Sequence, residues 1–402
     1  MKEFGLIIKL VLSIILIMAF GEWIPESVQR AFFTLSIFMK ETLIFCMPLI
    51  VFAFIFSCLS SFQKKAPLLI VVILSLVVAS NFFFTQLGYI AGDIGLPHLG
   101  YHAANAVEKI TSALPPLEPF FTIPYPRLIS TDMALLFGTL AGLYGAFWGN
   151  DKLVAWGDRL KNKVQGALTK IFIPLVPFYV IGFLFKIHHD ESLIEMFTGY
   201  GPMIGLVVVM QVLSMLFFYF KANLGNIKDL KASLKNVFPS GLVAMSTMSS
   251  AATLPLTLEA AEKNTKNKAV AQFVVPATAN IHHVGDSVAV PILIAAVYAI
   301  NGFDPMSYST FLLFSMYYMV AKFAVASVPG GEVIVLLPIL ESYFGFTDSM
   351  SGLITTLYIL CDPFITTTNV LSNGALAILM DKMCGRIKAF QSSEESALQD
   401  AS

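Results

Sequence analysis

The sequence predicts an all-α integral membrane protein, on three observations. Of its 402 residues, 56% are hydrophobic and only 13% charged, against about 25% charged in a soluble domain. Apolar runs long enough to cross a bilayer recur along the first half of the chain. Basic residues gather on every second connecting segment, the asymmetry that insertion into a membrane imposes on loops. With so little polar coat, the natural solvent for the outer surface is lipid.

A spanning helix needs about 20 mostly apolar residues. Candidate spans are 4–20, 31–60, 67–95, 130–148, 167–187 and 200–220; from 237 to 386 the apolar stretches are interrupted by Ser, Thr, Asn, Gly and Pro. The first span is apolar apart from Lys9. No small-x-small cleavage site follows it, so a retained helix is expected rather than a signal peptide. Lys64 and Lys65, then Lys152, Arg159, Lys161 and Lys163, then Lys221, Lys228, Lys231 and Lys235, then Lys382, Arg386 and Lys388 mark alternate loops, which puts both termini in the cytoplasm. Segment 96–129, with six prolines, reads as an irregular external loop, and 388–402 as a disordered polar tail. A net charge of −1 without a basic block argues against a nucleic-acid partner. Cys46, Cys58, Cys361 and Cys384 show no metal-ligand spacing and read as small packing residues.

Two stretches do not read as ordinary spanning helices. One is Ser246-Thr247-Met248-Ser249-Ser250-Ala251-Ala252-Thr253-Leu254-Pro255, the other Ser327-Val328-Pro329-Gly330-Gly331-Glu332. Each tip is flanked by apolar arms of about 10 residues, too short to cross at about 1.5 Å per residue. A re-entrant hairpin is expected at each, because non-helical backbone survives at membrane depth only where it faces protein or a polar cavity. Free N–H groups and positive helix ends at such tips suit a carboxylate. In the last span Asp362, Thr366, Asn369 and Asn373 recur at i, i+4, i+7 and i+11 and share one face. A polar stripe of this kind is costly in a membrane unless it lines a site; Thr367, Thr368 and Ser372 read as helix-packing groups. Between apolar runs stands Thr278-Ala279-Asn280-Ile281-His282-His283-Val284-Gly285-Asp286-Ser287, where Gly285 and Asp286 suggest an unwound mid-helix segment. His282 and His283 point to different sides, so at most one faces a site beside Asp286, where it could handle protons.

At these elements the chain resembles the glutamate/aspartate transporter family, the dicarboxylate/amino-acid:cation symporters. Ser249 to Pro255 is similar to the serine-rich first-hairpin motif ending Thr-Leu-Pro, and Val328-Pro329-Gly330-Gly331 to the second tip. Asp362 to Asn373 is similar to the polar face of the eighth helix, and Met47-Pro48-Leu49-Ile50-Val51-Phe52 to part of the second helix. The resemblance implies eight transmembrane helices plus two re-entrant hairpins, built as inverted repeats and assembled as a homotrimer. It divides the chain into scaffold helices 1–2 (1–66), a moving helix 3 (67–95), an external loop (96–127), scaffold helices 4–5 (128–196), a transport core (197–387) that travels like an elevator, and a cytoplasmic tail (388–402). It also implies a bacterial-type inner membrane.

The departures from that family matter as much as the matches. Val284 and Ala377 stand where the family has sodium-binding carboxylates, and Lys322 stands at a third sodium position, as a tethered ammonium or as a lysine snorkelling to the interface. Thr366 and Asn369 replace the family's aspartate for the substrate amino group and its arginine for a side-chain carboxylate. Ser249, Ser250, Val328, Pro329, Gly330, Val370 and Asn373 remain for one carboxylate; Asp286 and Glu332 add titratable groups. The expected function is therefore secondary symport of a small organic acid or amino acid, coupled to protons through His282, His283, Asp286, Lys322, Glu332 and Asp362, with no cofactor. The alternatives are a sodium-coupled dicarboxylate or amino-acid transporter and, in another class, an intramembrane metal-dependent enzyme. Such an enzyme needs converging His and acidic ligands, whereas His98, His102, His188 and His189 fall in expected external loops.

Overall fold

In the computed structural model the apolar runs are helices. The structure describes residues 12, 16–17, 20–60, 67–101, 117–123, 125–126, 129, 131–148, 151–167, 170–171, 173–190, 193–325 and 330–384, and among these there is no strand. Most of the expected span 4–20, the tail 388–402, and Ser327, Val328 and Pro329 at the second tip lie outside the described residues.

Five helices cover the first half of the described chain: α1 (Glu26–Ser60), α2 (Pro67–His98), α3 (Thr131–Trp148), α4 (Asp151–Ala167) and α5 (Ile173–Asp190). Then come α6 (Leu193–Ala222), α7 (Ile227–Thr247), α8 (Ser250–Asn264), α9 (Lys268–Thr278), α10 (Val284–Ile300), α11 (Tyr308–Ala321), α12 (Gly331–Tyr343) and α13 (Asp348–Cys384). Among the described residues Val71–His98, Tyr200–Ala222 and Asp348–Cys384 are long and apolar enough to cross a membrane, and Pro48–Ser57, Leu136–Gly145 and Val284–Ile300 are shorter apolar stretches. The basic segment after α3, expected as a loop, is the amphipathic helix α4; its buried Gly157 and Val164 give it a side to fold against α1.

The chain does turn back at both expected hairpins, but the arms exceed 10 residues. In the first they are 21 and 15 residues long, and in the second 14 and 13. The extra turns are polar: α7 opens with Ile227-Lys228-Asp229-Leu230-Lys231, capped by Asn226, whose side chain accepts from Lys228 N at 3.0 Å and Asp229 N at 3.3 Å. Met248, in the left-handed region (φ 49°), ends α7 and starts the first turn. Gly330 (φ 73°) ends the second, a conformation glycine adopts without strain.

α1 packs against α3, α4 and α5, while α13 runs through the second half of the fold in contact with α6, α7, α8, α9 and α10. α10 is also held by α2 and α6. Small residues set the closest approaches. A Cβ on Gly142 or Gly145 of α3 would come within 2.8 Å of Leu59 Cβ or 2.7 Å of Ser60 Cβ, and one on Gly88 of α2 within 2.5 Å of the Val288 carbonyl oxygen. The outward side of α3 leaves Phe137, Leu140, Tyr144, Phe147 and Trp148 exposed, an apolar surface suited to lipid rather than water. α2 runs on to His98, three residues into the expected 96–129 loop; beyond it the described part of that loop is irregular. It is strapped to α1 by Thr34 Oγ1, which accepts from Phe120 N at 2.9 Å, and by Arg30, which donates to the Glu118 carbonyl at 3.0 Å.

Candidate functional site

The unwinding expected at Gly285 and Asp286 lies slightly earlier. The helix stops after Thr278 and restarts at Val284, so residues 279–283 form the break and Gly285 and Asp286 sit in the first turn of α10. Pro276 and Pro291 lie within the two half-helices, not in the break. A broken helix leaves backbone groups that must find partners inside the protein. Side-chain amides from three helices supply them. Asn81 of α2 donates to the Ile281 carbonyl (2.8 Å) and accepts from His283 N (3.0 Å). Gln211 of α6 donates to the Gly285 carbonyl at 2.9 Å. Asn369 of α13 accepts from Gly285 N at 2.7 Å.

The stripe on α13 is buried and turned to the protein interior, as its cost in lipid requires. Each member ties down a different piece. Asp362 accepts from Gly330 N at 2.9 Å, at the turn of the second hairpin, and from Thr366 Oγ1 at 2.7 Å. Asn369 also donates to Asp286 Oδ2 at 2.5 Å, and Asn373 accepts from Thr278 Oγ1 at 3.0 Å. Thr366 is thus committed to Asp362 and Asn369 to the start of α10. Val370 is buried on the same helix, and Ser249 and Ser250 lie half-buried at the turn of the first hairpin, whose two arms pack on α13. Thr367 and Thr368 bond back to the Pro363 and Phe364 carbonyls, as packing groups do.

Between the second hairpin and the broken helix lies an ion cluster. Lys322 is fully buried and does not snorkel; its ammonium is 3.0 Å from Glu332 Oε1, 3.4 Å from the His283 carbonyl oxygen and 3.9 Å from the centre of the Tyr318 ring. Glu332 Oε2 meets His283 Nδ1 at 3.0 Å. Asp286, close enough to interact with Lys322, His283 and Glu332, also accepts from the Tyr358 hydroxyl. His282 turns the other way, with Nε2 3.0 Å from Ser80 Oγ and its ring packed against Phe218, so of the two histidines only His283 joins the carboxylates.

The donor atoms of His283, Asp286 and Glu332 lie within 4.8 Å of one another, near enough together to grip one metal ion. The chain's own ammonium already stands against Glu332, and Tyr358 and Asn369 take up Asp286, so the donor set is organised around a lysine. Three carboxylates interact here, since Asp362 is close enough to act on Asp286 and Glu332, while the one lysine pairs with Glu332 and interacts with Asp286. Full ionisation leaves two negative charges uncompensated, and each buried unpaired charge costs several kcal/mol. Protons or small cations must make up the difference.

Close packing holds the arrangement. A Cβ on Gly285 would collide with the Ile365 carbonyl oxygen and reach 3.0 Å from Asn369 Oδ1. Gly285→Ala should push α10 off α13 and separate Asp286 from Asn369. The expected outcome is a destabilisation of about 1–3 kcal/mol, typical of overpacking, with loss of solute uptake, read by thermal unfolding and vesicle uptake.

Tyr318, Tyr358, Asn81 and Gln211 are contributors that the sequence reading missed. Tyr358 lies one turn before Asp362, so running the stripe one step backward finds it; Tyr318 likewise precedes Lys322 by one turn. Asn81 and Gln211 depend on how α2 and α6 pack against α10, which no local pattern encodes.

A family model described as "Sodium:dicarboxylate symporter family" matches residues 6–383. An "Uncharacterized symporter" of Haemophilus influenzae is 25% identical over 308 residues, covering 72% of this chain and 68% of the relative. "Excitatory amino acid transporter 1" of Ambystoma tigrinum is 24% identical over 273 residues, 65% of this chain and 49% of the relative. "Serine/threonine transporter SstT" of Bifidobacterium adolescentis is 26% identical over 225 residues, 54% of this chain and 50% of the relative. The alignments with the last two relatives span about half of those proteins' length.

Proposed function

We propose, since this chain belongs to the sodium:dicarboxylate symporter family, a family of membrane transporters and not of enzymes, that it carries a solute with one carboxylate, a small organic acid or a neutral amino acid, in symport with protons. The family's symporters are coupled to cations and take dicarboxylates or amino acids; this chain is an integral membrane protein of that kind. The observation that carries the finer reading is the buried Lys322–Glu332–His283 network beside Asp286. In it a fixed ammonium stands among the carboxylates, and the negative charge left uncompensated is neutralised by protons delivered from one side and released to the other.

The substrate class follows from what the polar stripe has left to offer. Asn369 and Thr366 carry no charge, and both are engaged with Asp286 and Asp362. A second carboxylate would be buried without a charged partner. The backbone at the second tip and the half-buried serines of the first hairpin suit a single carboxylate.

Transport itself we read as an elevator movement within a trimer. The trimer is taken from the family alone; what supports the movement is the packing within one chain: α1, α3, α4 and α5 form one set, and α13 with α2 and α6 to α12 another. They touch mainly through the turn Lys322–Ala324, α12 against α1, and α5 against α13. In this reading the first set stays fixed and both termini face the cytoplasm of a bacterial-type inner membrane.

A thermal-shift screen of the detergent-solubilised protein at two pH values tests the substrate class. Monocarboxylates or neutral amino acids should stabilise it in a pH-dependent manner, by about 2–4 kcal/mol at 100- to 1,000-fold excess over Kd. Stabilisation by aspartate, glutamate or a dicarboxylate alone contradicts the proposal. Sodium coupling is the rival reading, favoured by the family as a whole.

A further inference from the structure

We propose that the outward face of α4 is a binding stripe for anionic phospholipid, independent of the transport site. Lys152, Trp156, Arg159 and Lys163 recur at i, i+4, i+7 and i+11, which places them on one side of the helix. All four are exposed, Trp156 at 50%. The rotation of α4 is fixed from behind. A Cβ on Gly157 would come within 2.5 Å of the Phe56 ring, Asp158 accepts a 2.7 Å hydrogen bond from Ser57 Oγ, and the Trp156 ring meets Phe56 edge-on at 5.5 Å. The two acids of α4 leave the stripe uncompensated: Asp158 turns to Ser57, and Asp151 sits in the first turn, where it complements the positive helix end.

The depth of the stripe follows from its neighbours. α4 docks near the last turn of α1, and Gly145 of α3 packs on Ser60 at the same end. There the final turn of α3 exposes Tyr144, Phe147 and Trp148, with Trp148 6.1 Å from Tyr144 and 5.6 Å from Phe147 between ring centres. Exposed aromatic residues at the end of an apolar helix mark the level of the headgroups. Three cations flanking a half-exposed tryptophan at that level match a headgroup with net negative charge: phosphate oxygens meet Lys and Arg, and the indole lies at the glycerol boundary. A zwitterionic headgroup brings its own ammonium to the same cations and lacks that complementarity.

The chain has three tryptophans, so Trp156 can be observed alone in Trp23→Phe/Trp148→Phe. That protein is reconstituted into phosphatidylcholine vesicles holding equal fractions of chain-brominated phosphatidylglycerol or chain-brominated phosphatidylcholine. Brominated phosphatidylglycerol should quench Trp156 at least about twofold more strongly, and the preference should vanish in Lys152→Gln/Arg159→Gln/Lys163→Gln. Equal quenching by both lipids, meaning bulk membrane contact only, overturns the proposal, as does no quenching by either, meaning that water or another protein surface covers α4. Should the tryptophan-reduced protein not fold, the phosphatidylglycerol retained by the otherwise unmodified protein through purification decides. The proposal requires that retention to fall in the triple variant and is overturned if it does not.

Discussion

Lys322→Ala, with Glu332 left in place, is expected to destabilise the fold by about 3–5 kcal/mol. Lys322 is fully buried, and its ammonium is held by Glu332 Oε1, the His283 carbonyl and the Tyr318 ring. Alanine removes the cation and leaves Glu332 facing Asp286 with only the His283 ring to offset it. The cost is therefore that of a stranded charge, not of a lost contact. Lys322→Met combined with Glu332→Gln removes both charges at similar volume and should recover most of the stability, because a buried ion pair often contributes little net stability over a neutral replacement. Thermal unfolding of the three proteins in detergent checks the order: wild type and double variant close together, single variant well below. The double variant separates fold from function, since it should remain folded yet lose coupled uptake. Equal stability of the single and double variants would remove the basis for calling the pair an electrostatic unit.

Asp362→Ala is expected to have the largest effect on transport of any substitution on α13. Asp362 joins two elements that nothing in the chain order brings together: Gly330 at the turn of the second hairpin, and the polar stripe through Thr366. Hydrogen bonds to a charged group contribute about 1.5–3 kcal/mol each. Losing the bond to Gly330 alone shifts the balance between docked and undocked tip by about 10- to 100-fold. Uptake should fall to a similar extent, and the Gly330 amide should lose its protection in hydrogen exchange. Asp362→Asn keeps an acceptor for Gly330 N and should fall between the two. If Asp362→Ala exchanged the Gly330 amide at the wild-type rate, the side chain would have no part in holding the tip.

Much of this arrangement was legible in the sequence because membranes simplify the problem. A polar residue in an apolar run needs a partner, so the spacing of Asp362, Thr366, Asn369 and Asn373 was enough to mark the buried face of α13. The first tip was equally legible, because a Ser- and Thr-rich segment interrupts apolar sequence there; of the second, Gly330 is described and Ser327, Val328 and Pro329 lie outside the described residues. What escaped was set by packing between distant segments. Met248 ends α7 and Gly330 precedes α12, but nothing local says that the polar first turns of α7 extend its arm to 21 residues. The basic stretch from Lys152 to Lys163 was visible as charge, yet its docking on α1 depends on Gly157 lying against Phe56. Sequence alone puts the break a few residues late, because Gly285 reads as the breaker. In the fold Gly285 is small so that α10 can approach the Ile365 carbonyl, while Asn81 stabilises the unwound residues from α2. Lys322 illustrates the limit best: its sequence suits the interface and the interior alike, and what makes it interior is the packing of Tyr318, His283 and Glu332 around it.

Substrate-driven uptake into proteoliposomes under separately imposed gradients tests the central claim most directly. With sodium absent on both sides and the outside acid, the vesicles should accumulate a substrate found by the thermal-shift screen, and the lumen should acidify as they do so. Glu332→Gln should abolish both. Accumulation that requires a sodium gradient, proceeds at the same rate at every external pH and leaves the lumen unchanged would contradict the proton-coupled account.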